Sequence, residues 1–232
     1  MKKIGIIGGI GPESTIQYYR MLIQLYREKT GSDHYPEVLI QSIDMTQMLD
    51  FIAKNELDEL IGFLAERIHV LENAGVDYVA LASNTPHLVL ERLSEKVNTQ
   101  LISIVEETCK TISQLGQTKV LLLGTKFTMS KGFYQSKAKE YGIEMFTPKD
   151  SDQEFIHEKY MRELVFNQIN PHTKERLIEI VNKESNRNGL EGIVLGGTEL
   201  PLILDETDFS ELTLFNTTRI HVEAMLQKML KD

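Results

Sequence analysis

Short apolar runs alternate along the chain with longer stretches in which apolar residues recur at helical spacing. The runs are rich in Ile, Val and Leu and lack the period-two polarity of a strand with one solvated face. Such strands are typical of a parallel sheet that helices cover on both faces, so the pattern predicts an α/β fold. The predicted strands are Lys3–Ile7, Glu37–Ile43, Tyr78–Ala82, Gln100–Ile102, Lys119–Leu123, Glu144–Phe146 and Gly192–Leu195. The predicted helices are Glu13–Thr30, Glu56–Ala74, Leu88–Lys96, Ile104–Leu115, Thr128–Tyr141, Gln153–Asn167, Lys174–Asn186 and Thr217–Leu230.

Two segments of the first half resemble two segments of the second half in the same order. The sequence GVDYVALASNTPHL at residues 75–88 aligns with GLEGIVLGGTELPL at residues 189–202. The sequence KIGIIGGIGPEST, which starts at Lys3, aligns with KVLLLGTKFTMSK, which starts at Lys119. Two matches in the same order predict a duplicated architecture, with two similar α/β halves.

Small polar residues follow several of the predicted strands. In an open α/β sheet, ligands bind beyond the carboxyl ends of the strands. The repeat pairs Ser83 of the first half with Gly197 of the second, so two facing halves would present these positions from opposite sides of one cleft. We therefore expect a small ligand in a cleft between the halves. The polar segments are Gly8–Pro12, Asp44–Gln47, Ser83–His87, Gly124–Thr128 and Gly196–Glu199.

The composition excludes several classes of protein. A formal net charge of −9 argues against a nucleic-acid-binding protein, which needs a concentrated basic surface. The single cysteine excludes an intramolecular disulfide framework and a thiolate metal cluster. The N-terminal MKKIGIIGGI favours a buried strand over a signal peptide, and no apolar stretch approaches the roughly 20 residues that span a bilayer. We therefore expect a soluble, cytoplasmic, globular protein that binds neither nucleic acid nor membranes.

The glycine-rich segment GIIGGIGPES has two compatible interpretations. It lacks the third glycine of a dinucleotide fingerprint and the GK[ST] of a P-loop. It fits a tight turn with Pro12 in the first turn of a helix. It also fits a turn whose backbone N–H groups face an anionic ligand at the helix N-terminus.

The segments SNTPH, GTKFT and GGTEL place hydroxyl and amide groups where strands end. Such donors hold a carboxylate well through charge-assisted hydrogen bonds. The alternative is helix capping, with Asn84 or Thr85 ahead of Pro86. Thr125 and Thr128 of GTKFT are open to the same two interpretations.

The histidines and the cysteine indicate neither a metal site nor a catalytic triad. The sequence G-x-S-x-G is missing, and His87, which follows a proline, favours a structural role. Cys109 recurs at helical spacing with apolar residues, which predicts a buried core thiol. Metal-ligand spacing is missing among His34, His157, His172 and His221.

Together the motifs resemble those of the aspartate/glutamate racemase family, the cofactor-independent amino-acid racemases. The matching segments, spread over nearly the whole chain, are GIIGGIGPEST with Tyr18-Tyr19, SNTPH, GTKFT and GGTEL. The resemblance implies two similar α/β domains with the active site between them and a C-terminal helix that returns to the first domain. We therefore expect a first domain of residues 1–97 plus 212–232 and a second domain of residues 98–211.

The resemblance also implies catalytic positions. Family members remove the α-proton of an amino acid with one cysteine and return it from the opposite face with another. These cysteines map onto Ser83 and Gly197, so this chain has neither of them. A serine hydroxyl needs a neighbouring base to act as a thiolate does, and glycine carries no proton, so Glu199 or a bound water is the candidate for the second group. The expected substrate-binding residues are Gly11, Pro12, Gln47, Asn84, Thr85, Thr125, Thr128, Thr198 and Glu199.

Two functions follow from the resemblance. The first is a racemase, an isomerase of D-amino-acid metabolism that interconverts the L and D forms of aspartate, glutamate or a related amino acid. The second is a catalytically silent protein that binds an amino acid or dicarboxylate on the racemase fold. A third explanation of the missing cysteines is that the sequence is a variant engineered to lack them. Neutral Gln47, near the position where relatives bind a side-chain carboxylate, weakens the case for an acidic substrate. A homodimer is expected, and no metal, nicotinamide or pyridoxal site is indicated.

Overall fold

The computed structural model describes residues 1–231 and has the α/β architecture that the hydrophobic pattern predicts. The chain forms two compact units. One consists of Met1–Ile104 with the segment from His221 onward, and the other consists of Val105–Ile220. No helix within residues 1–231 is long and apolar enough to cross a membrane.

The first unit is built on a four-stranded parallel sheet in the order β2-β1-β3-β4. The central strand β1 is buried along its whole length, as expected for a strand that is covered on both faces. The strands are β1 (Ile4–Gly8), β2 (Val38–Ser42), β3 (Tyr78–Leu81) and β4 (Gln100–Ile102). The helices are α1 (Pro12–Thr30), α2 (Met45–Ala53), α3 (Leu57–Asn73), a 3-10 helix at Thr85–Val89, and α4 (Leu90–Ser94).

The second unit is built on a four-stranded parallel sheet in the order β6-β5-β7-β8. Its strands are β5 (Lys119–Gly124), β6 (Glu144–Phe146), β7 (Gly192–Gly196) and β8 (Thr213–Asn216). The helices after β4 are α5 (Ile104–Gln114), α6 (Lys126–Ser130), α7 (Phe133–Glu140), α8 (Asp150–Arg162), α9 (Pro171–Asn188) and α10 (Thr217–Leu230). Short 3-10 helices lie at Leu164–Phe166, Leu200–Leu202 and Glu206–Asp208.

The two strand orders correspond strand by strand, because β1 to β4 occupy the same places in their sheet as β5 to β8 do in theirs. Gly8 and Gly124, which the sequence repeat aligns, end β1 and β5. Ser83 and Gly197 follow the equivalent strands β3 and β7. The predicted pair of similar α/β halves is therefore confirmed.

The C-terminal part of α10 packs into the core of the first unit. Val222, Met225 and Met229 are fully buried and cluster with residues of β1 and α1, including Ile6 and Leu22. Burying an apolar side chain of this size stabilises a fold by roughly 1.5–3 kcal/mol. The last helix therefore contributes to the stability of the unit that contains the first strand.

Five local features differ from the sequence-based expectations. Two predicted helices are partly 3-10 structure: Leu88–Lys96 begins within the 3-10 helix Thr85–Val89, and Gln153–Asn167 ends as an α-helix at Arg162 and continues as the 3-10 helix Leu164–Phe166. Strand β8 was not predicted, because a four-residue segment with polar residues at both ends gives a weak strand signal. Helix α2 was not predicted, because Asp44 and Gln47 were interpreted as a polar loop at the end of a strand. The predicted helix Thr128–Tyr141 is broken into α6 and α7 at Gly132, whose φ is +79°.

Candidate active site

In the first unit, the turn from β1 into α1 depends on Gly9. This residue has a φ of +81°, and a Cβ at that position would lie 2.6 Å from Ser42 Oγ and 2.8 Å from the backbone nitrogen of Ile43. The Gly9 N–H donates to Thr15 Oγ1 at 2.8 Å. Only glycine allows the chain to leave the sheet and enter α1 in this way.

The expected binding residues Gly11 and Pro12 begin α1. Gly11 is buried at the N-cap position, and Pro12 is exposed in the first turn. No side chain caps this helix. Both sequence interpretations of the segment fit this geometry, because a proline in the first turn is compatible with an uncapped helix N-terminus.

Ser83, Asn84 and Thr85 leave the end of β3 and are buried. The Ser14 hydroxyl in the first turn of α1 donates to the carbonyl oxygen of Ala82 at 2.8 Å, which ties the end of β3 to α1. Asn84 occupies the N-cap position of the following 3-10 helix, but its side chain makes no capping hydrogen bond. The interpretation of Asn84 as a capping side chain is therefore wrong.

Two buried histidines lie beneath this strand end and are held neutral. Burial, together with the repulsion that the two rings would exert if both were protonated, lowers the pKa of His87 to about 3, and burial lowers the pKa of His221 to about 4. His221 donates from Nε2 to the Ile102 carbonyl and accepts at Nδ1 from the Tyr18 hydroxyl, both at 2.8 Å.

His87 cannot serve as the base that Ser83 would need. Its Nε2 accepts the Ile104 N–H at 3.2 Å, so the ring lone pair is already used. The neutral tautomer then carries its proton on Nδ1. The structural role predicted for His87 agrees with this geometry, and the histidine nearest to Ser83 along the chain is not available as its base.

Gln47 lies in the first turn of α2, one helical turn after Asp44. The Asp44 carboxylate accepts from the backbone N–H of Thr46 at 2.8 Å and of Gln47 at 3.4 Å, which caps the helix. The side chain of Gln47 is exposed. Its role in ligand binding stays a prediction.

In the second unit, Thr125 and Thr128 lie at the end of β5. Thr125 is the N-cap of α6, where its hydroxyl oxygen accepts the Thr128 N–H at 3.2 Å and lies 3.0 Å from the Thr128 hydroxyl. A Cβ on Gly124 would lie 2.8 Å from the Gly196 carbonyl oxygen. The two strand ends therefore approach closely, and they bring the threonines beside the segment that follows β7.

That segment, Gly197-Thr198-Glu199, is buried, with Glu199 only 1% exposed. Oε2 of Glu199 accepts the Thr198 hydroxyl at 2.8 Å and also accepts the Tyr160 hydroxyl. A Cβ on Gly197 would lie 2.9 Å from Cζ and 3.0 Å from the hydroxyl oxygen of Tyr160, and closer still to Cε2. The tyrosine therefore occupies the space that a side chain at position 197 would need.

Sequence reasoning missed Tyr160. This residue lies in α8 and is buried. Burial and the negative charge of Glu199 raise the pKa of Tyr160 well above its usual value. The local sequence gives no sign that Tyr160 packs against Gly197, because this contact joins segments that are distant along the chain. The one available sign was Gly197 itself, because a glycine at the position where the family motif has a cysteine leaves space that another side chain can fill.

The comparisons with known proteins agree with these motifs. The sequence model of the family Asp/Glu/Hydantoin racemase matches residues 7–225. The chain belongs to this racemase family. The broad specificity amino-acid racemase RacX of Bacillus subtilis (strain 168) is 30% identical over 165 residues, which are 70% of this chain and 67% of that protein.

Solved structures resemble the chain over its full length. An aspartate racemase homologue from Pyrococcus horikoshii OT3 is 36% identical, with a TM-score of 0.87 and complete coverage of both chains. A Yersinia pestis protein assigned to the Asp/Glu racemases is 31% identical, with a TM-score of 0.91 and complete coverage of both chains. The resemblance drawn from the motifs is therefore confirmed, while the substrate and the individual site residues stay predictions.

The only cysteine of this racemase-family chain is not placed for catalysis. Cys109 is fully buried in α5, and burial together with nearby Glu106 raises the pKa of its thiol to about 12. It is therefore a protonated core side chain, as its helical spacing predicts. Across residues 1–231, no group of three His, Cys, Asp or Glu side chains could hold a metal ion.

We expect the native protein to resist a thiol reagent such as 5,5′-dithiobis(2-nitrobenzoate), because the reactive thiolate of Cys109 is both scarce and inaccessible. The unfolded protein in guanidinium chloride should release one equivalent of chromophore and so serves as the control. Rapid labelling of the native chain would show that Cys109 is accessible, and Cys109 would then again be a candidate nucleophile.

Proposed function

We propose that this chain is an amino-acid racemase that interconverts the L and D forms of aspartate, glutamate or a related small amino acid by cofactor-independent α-proton transfer. The observation that carries the proposal is the set of hydroxyl and amide groups at the carboxyl ends of equivalent strands in both units. These groups are Asn84 and Thr85 after β3, Thr125 and Thr128 after β5, and Thr198 after β7.

The chemistry of these side chains suits an amino-acid ligand. Hydroxyl and amide donors at buried strand ends stabilise a carboxylate through charge-assisted hydrogen bonds. They also fix the orientation of the α-carbon, which is the requirement for a positioned proton transfer. Family membership supports this assignment, since the named relative from Bacillus subtilis is an amino-acid racemase.

The proposal assigns one candidate proton-transfer group to each unit. Ser83 follows β3 in the first unit, and Glu199 lies two residues after Gly197, the position that the sequence repeat aligns with Ser83, in the segment that follows β7. The expected ligand cleft between the halves, the homodimer and the cytoplasmic location stay predictions.

The proposal is tested by incubating the protein with enantiopure L-aspartate, L-glutamate, L-asparagine and L-glutamine and resolving the products by chiral chromatography. We expect at least one of them to approach an equal mixture of enantiomers at a rate proportional to protein concentration, because the two forms have equal free energy. Thermal melting with each compound provides the parallel measure of binding.

Retention of every compound as a single enantiomer would overturn the racemase assignment. If one of these compounds still raised the melting temperature, the chain would be the amino-acid-binding protein on the racemase fold. If none did, the assignment of the strand-end hydroxyls to an amino acid would also be wrong.

A further inference from the structure

The side-chain space of position 197 is filled from α8. The hypothetical Cβ of Gly197 contacts three atoms of Tyr160, of which the hydroxyl oxygen is 3.0 Å away. The resemblance implies a proton-transferring cysteine at this position, and a thiol would extend from the Cβ into the same space. The phenol of Tyr160 therefore lies where the family places its second acid or base.

The phenol is also connected to a group that can hold its proton. The Tyr160 hydroxyl donates to Oε2 of Glu199, and the Thr198 hydroxyl donates to the same oxygen at 2.8 Å. All three side chains are buried. A hydrogen-bonded pair of this kind can move a proton without moving heavy atoms, because donor and acceptor are already in contact.

We infer that Tyr160 and Glu199 together are the second proton-transfer group of this chain, with Tyr160 relaying a proton between the ligand α-carbon and the Glu199 carboxylate. This inference rests on the proposed racemase function. It replaces the single thiol of the family pattern with a two-residue relay whose parts come from α8 and from the segment after β7.

The step balances without any co-reactant. In the deprotonating direction, the electrons of the Cα–H bond stay on the α-carbon and the α-proton passes to the Tyr160 oxygen. The Tyr160 proton passes at the same time to Oε2 of Glu199. The α-carbon becomes a carbanion, Glu199 becomes a neutral acid, and Tyr160 stays neutral.

The reverse order describes the protonating direction, in which Glu199 starts as a neutral acid and its proton reaches the carbanion through Tyr160. Inversion also needs a proton transfer on the other face of the α-carbon, for which Ser83 is the candidate. When Glu199 has received the α-proton through the relay, Ser83 gives its hydroxyl proton to the carbanion and is left as an alkoxide. Solvent exchange then returns Ser83 and Glu199 to their starting protonation states.

Electrostatics favour a relay over a preformed phenolate. Burial and the Glu199 charge raise the pKa of Tyr160 well above its usual value, so the phenol is protonated at rest. Hydrogen bonds from the Thr198 side chain and the Glu199 backbone act in the opposite direction. An isolated tyrosinate beside a carboxylate would place two negative charges together, whereas the concerted relay never does.

The inference is tested with Tyr160→Phe, which keeps the ring in place and removes only the hydroxyl. In D₂O with the amino acid that wild-type protein racemises, we expect the rate of α-proton exchange to fall at least about 100-fold, the usual contribution of a positioned acid or base. Glu199→Gln should give a similar loss, because a carboxamide accepts the phenol hydrogen bond but not its proton. The ligand Kd of Tyr160→Phe should change by less than about threefold, since phenylalanine preserves the packing.

Tyr134→Phe is the matched control. Tyr134 is another fully buried tyrosine of the same unit, in α7, and its hydroxyl bonds Thr108. Removing that hydroxyl should leave exchange at the wild-type rate. Should Tyr160→Phe not fold, isotope effects on wild-type protein replace it, because the relay moves the solvent-derived Tyr160 proton in the same step that breaks the Cα–H bond. Abstraction of the α-proton should then show a solvent isotope effect that persists when the amino acid is deuterated at the α-carbon, whereas a single base would show no such effect.

The outcomes separate the two hypotheses. A wild-type protein that racemises while Tyr160→Phe keeps its exchange rate, or that abstracts the α-proton without a solvent isotope effect, would overturn the relay and leave the racemase function standing. A wild-type protein that neither exchanges nor racemises any amino acid would overturn both.

Discussion

Gly197→Ala is expected to destabilise the folded chain by about 1–3 kcal/mol, the usual range for overpacking a well-filled interior. The new methyl group would enter the space of the Tyr160 ring, whose Cζ lies 2.9 Å from the ideal Cβ position. The ring cannot swing away freely, because it is buried and its hydroxyl is bonded to Glu199. The measurement is urea-induced unfolding at equilibrium, followed by circular dichroism.

A double-mutant cycle isolates this contact. Tyr160→Ala alone should cost about 3–5 kcal/mol, as truncation of a buried aromatic ring usually does. In the double variant Tyr160→Ala with Gly197→Ala, the methyl group occupies space that the ring has left. The combined loss should therefore be smaller than the sum of the single losses by about 1–3 kcal/mol.

Gly62→Ala is the matched control for the cycle. Gly62 lies within α3, and a Cβ there would meet no atom within 4 Å. Alanine in a helix interior is favoured over glycine by roughly 0.5–1 kcal/mol, so this variant should be neutral or more stable. Additive losses at Gly197 and Tyr160 would mean that the two side chains do not compete for one space.

The same contact limits how family chemistry could be restored. A cysteine at position 197 needs the space of the Tyr160 ring, so Gly197→Cys should not yield a well-placed thiol unless Tyr160 is also reduced in size. Gly197 and Tyr160 therefore depend on each other, because the tyrosine ring fits only where position 197 has no side chain.

The free energy of unfolding should fall steeply as the pH decreases from 6.5 towards 5. His87 and His221 are neutral in the folded chain, with pKa values lowered to about 3 and about 4, whereas an unfolded histidine titrates near pH 6.5. The unfolded state binds more protons in this window, so stability rises with pH and is fully present only above about pH 6.5. Each such histidine contributes a slope of up to roughly 1.4 kcal/mol per pH unit.

Urea unfolding at intervals between pH 7.5 and pH 5 measures this slope. His172→Gln is the control, because the side chain of His172 is 91% exposed and its replacement should leave the profile unchanged. His221→Gln should lose part of the slope, because His87 and His157, whose pKa values burial also lowers, keep their contributions. This variant would also start from a lower stability, because Tyr18 loses its hydrogen-bond acceptor at Nδ1. A free energy of unfolding that is constant from pH 7.5 to pH 5 would contradict the neutral state of the two buried histidines.

The hydrophobic pattern predicted the two sheets well, because parallel strands that are covered on both faces leave a continuous apolar run. Strands such as β1 and β7 are buried at every position, which makes them easy to recognise. Strand β8 escaped prediction because its four residues begin with Thr213 and end with Asn216. Its place in the sheet is set by pairing with β7, which is a long-range interaction.

Some residues of the candidate site could be predicted from short motifs, and others are brought together only by the fold. Thr125 and Thr128 act within one helical turn, so a short motif is enough to find them. Helix α2 could also have been found, since Asp44 precedes apolar Met48 and Ile52 at helical spacing and caps the helix. Tyr160 could not have been found in this way, because its contacts with Gly197 and Glu199 form only when α8 packs beside the end of β7.

Proton NMR in D₂O tests the central claim most directly. Aspartate, glutamate, asparagine and glutamine are each incubated with wild-type protein as separate L and D samples, and the α-proton signal is followed with time. The account predicts that the signal of at least one amino acid disappears from both enantiomers, at a rate proportional to protein concentration. Full retention of every α-proton by folded protein would contradict it, and would mean that Ser83 with the Tyr160–Glu199 pair does not carry out the family's proton transfer.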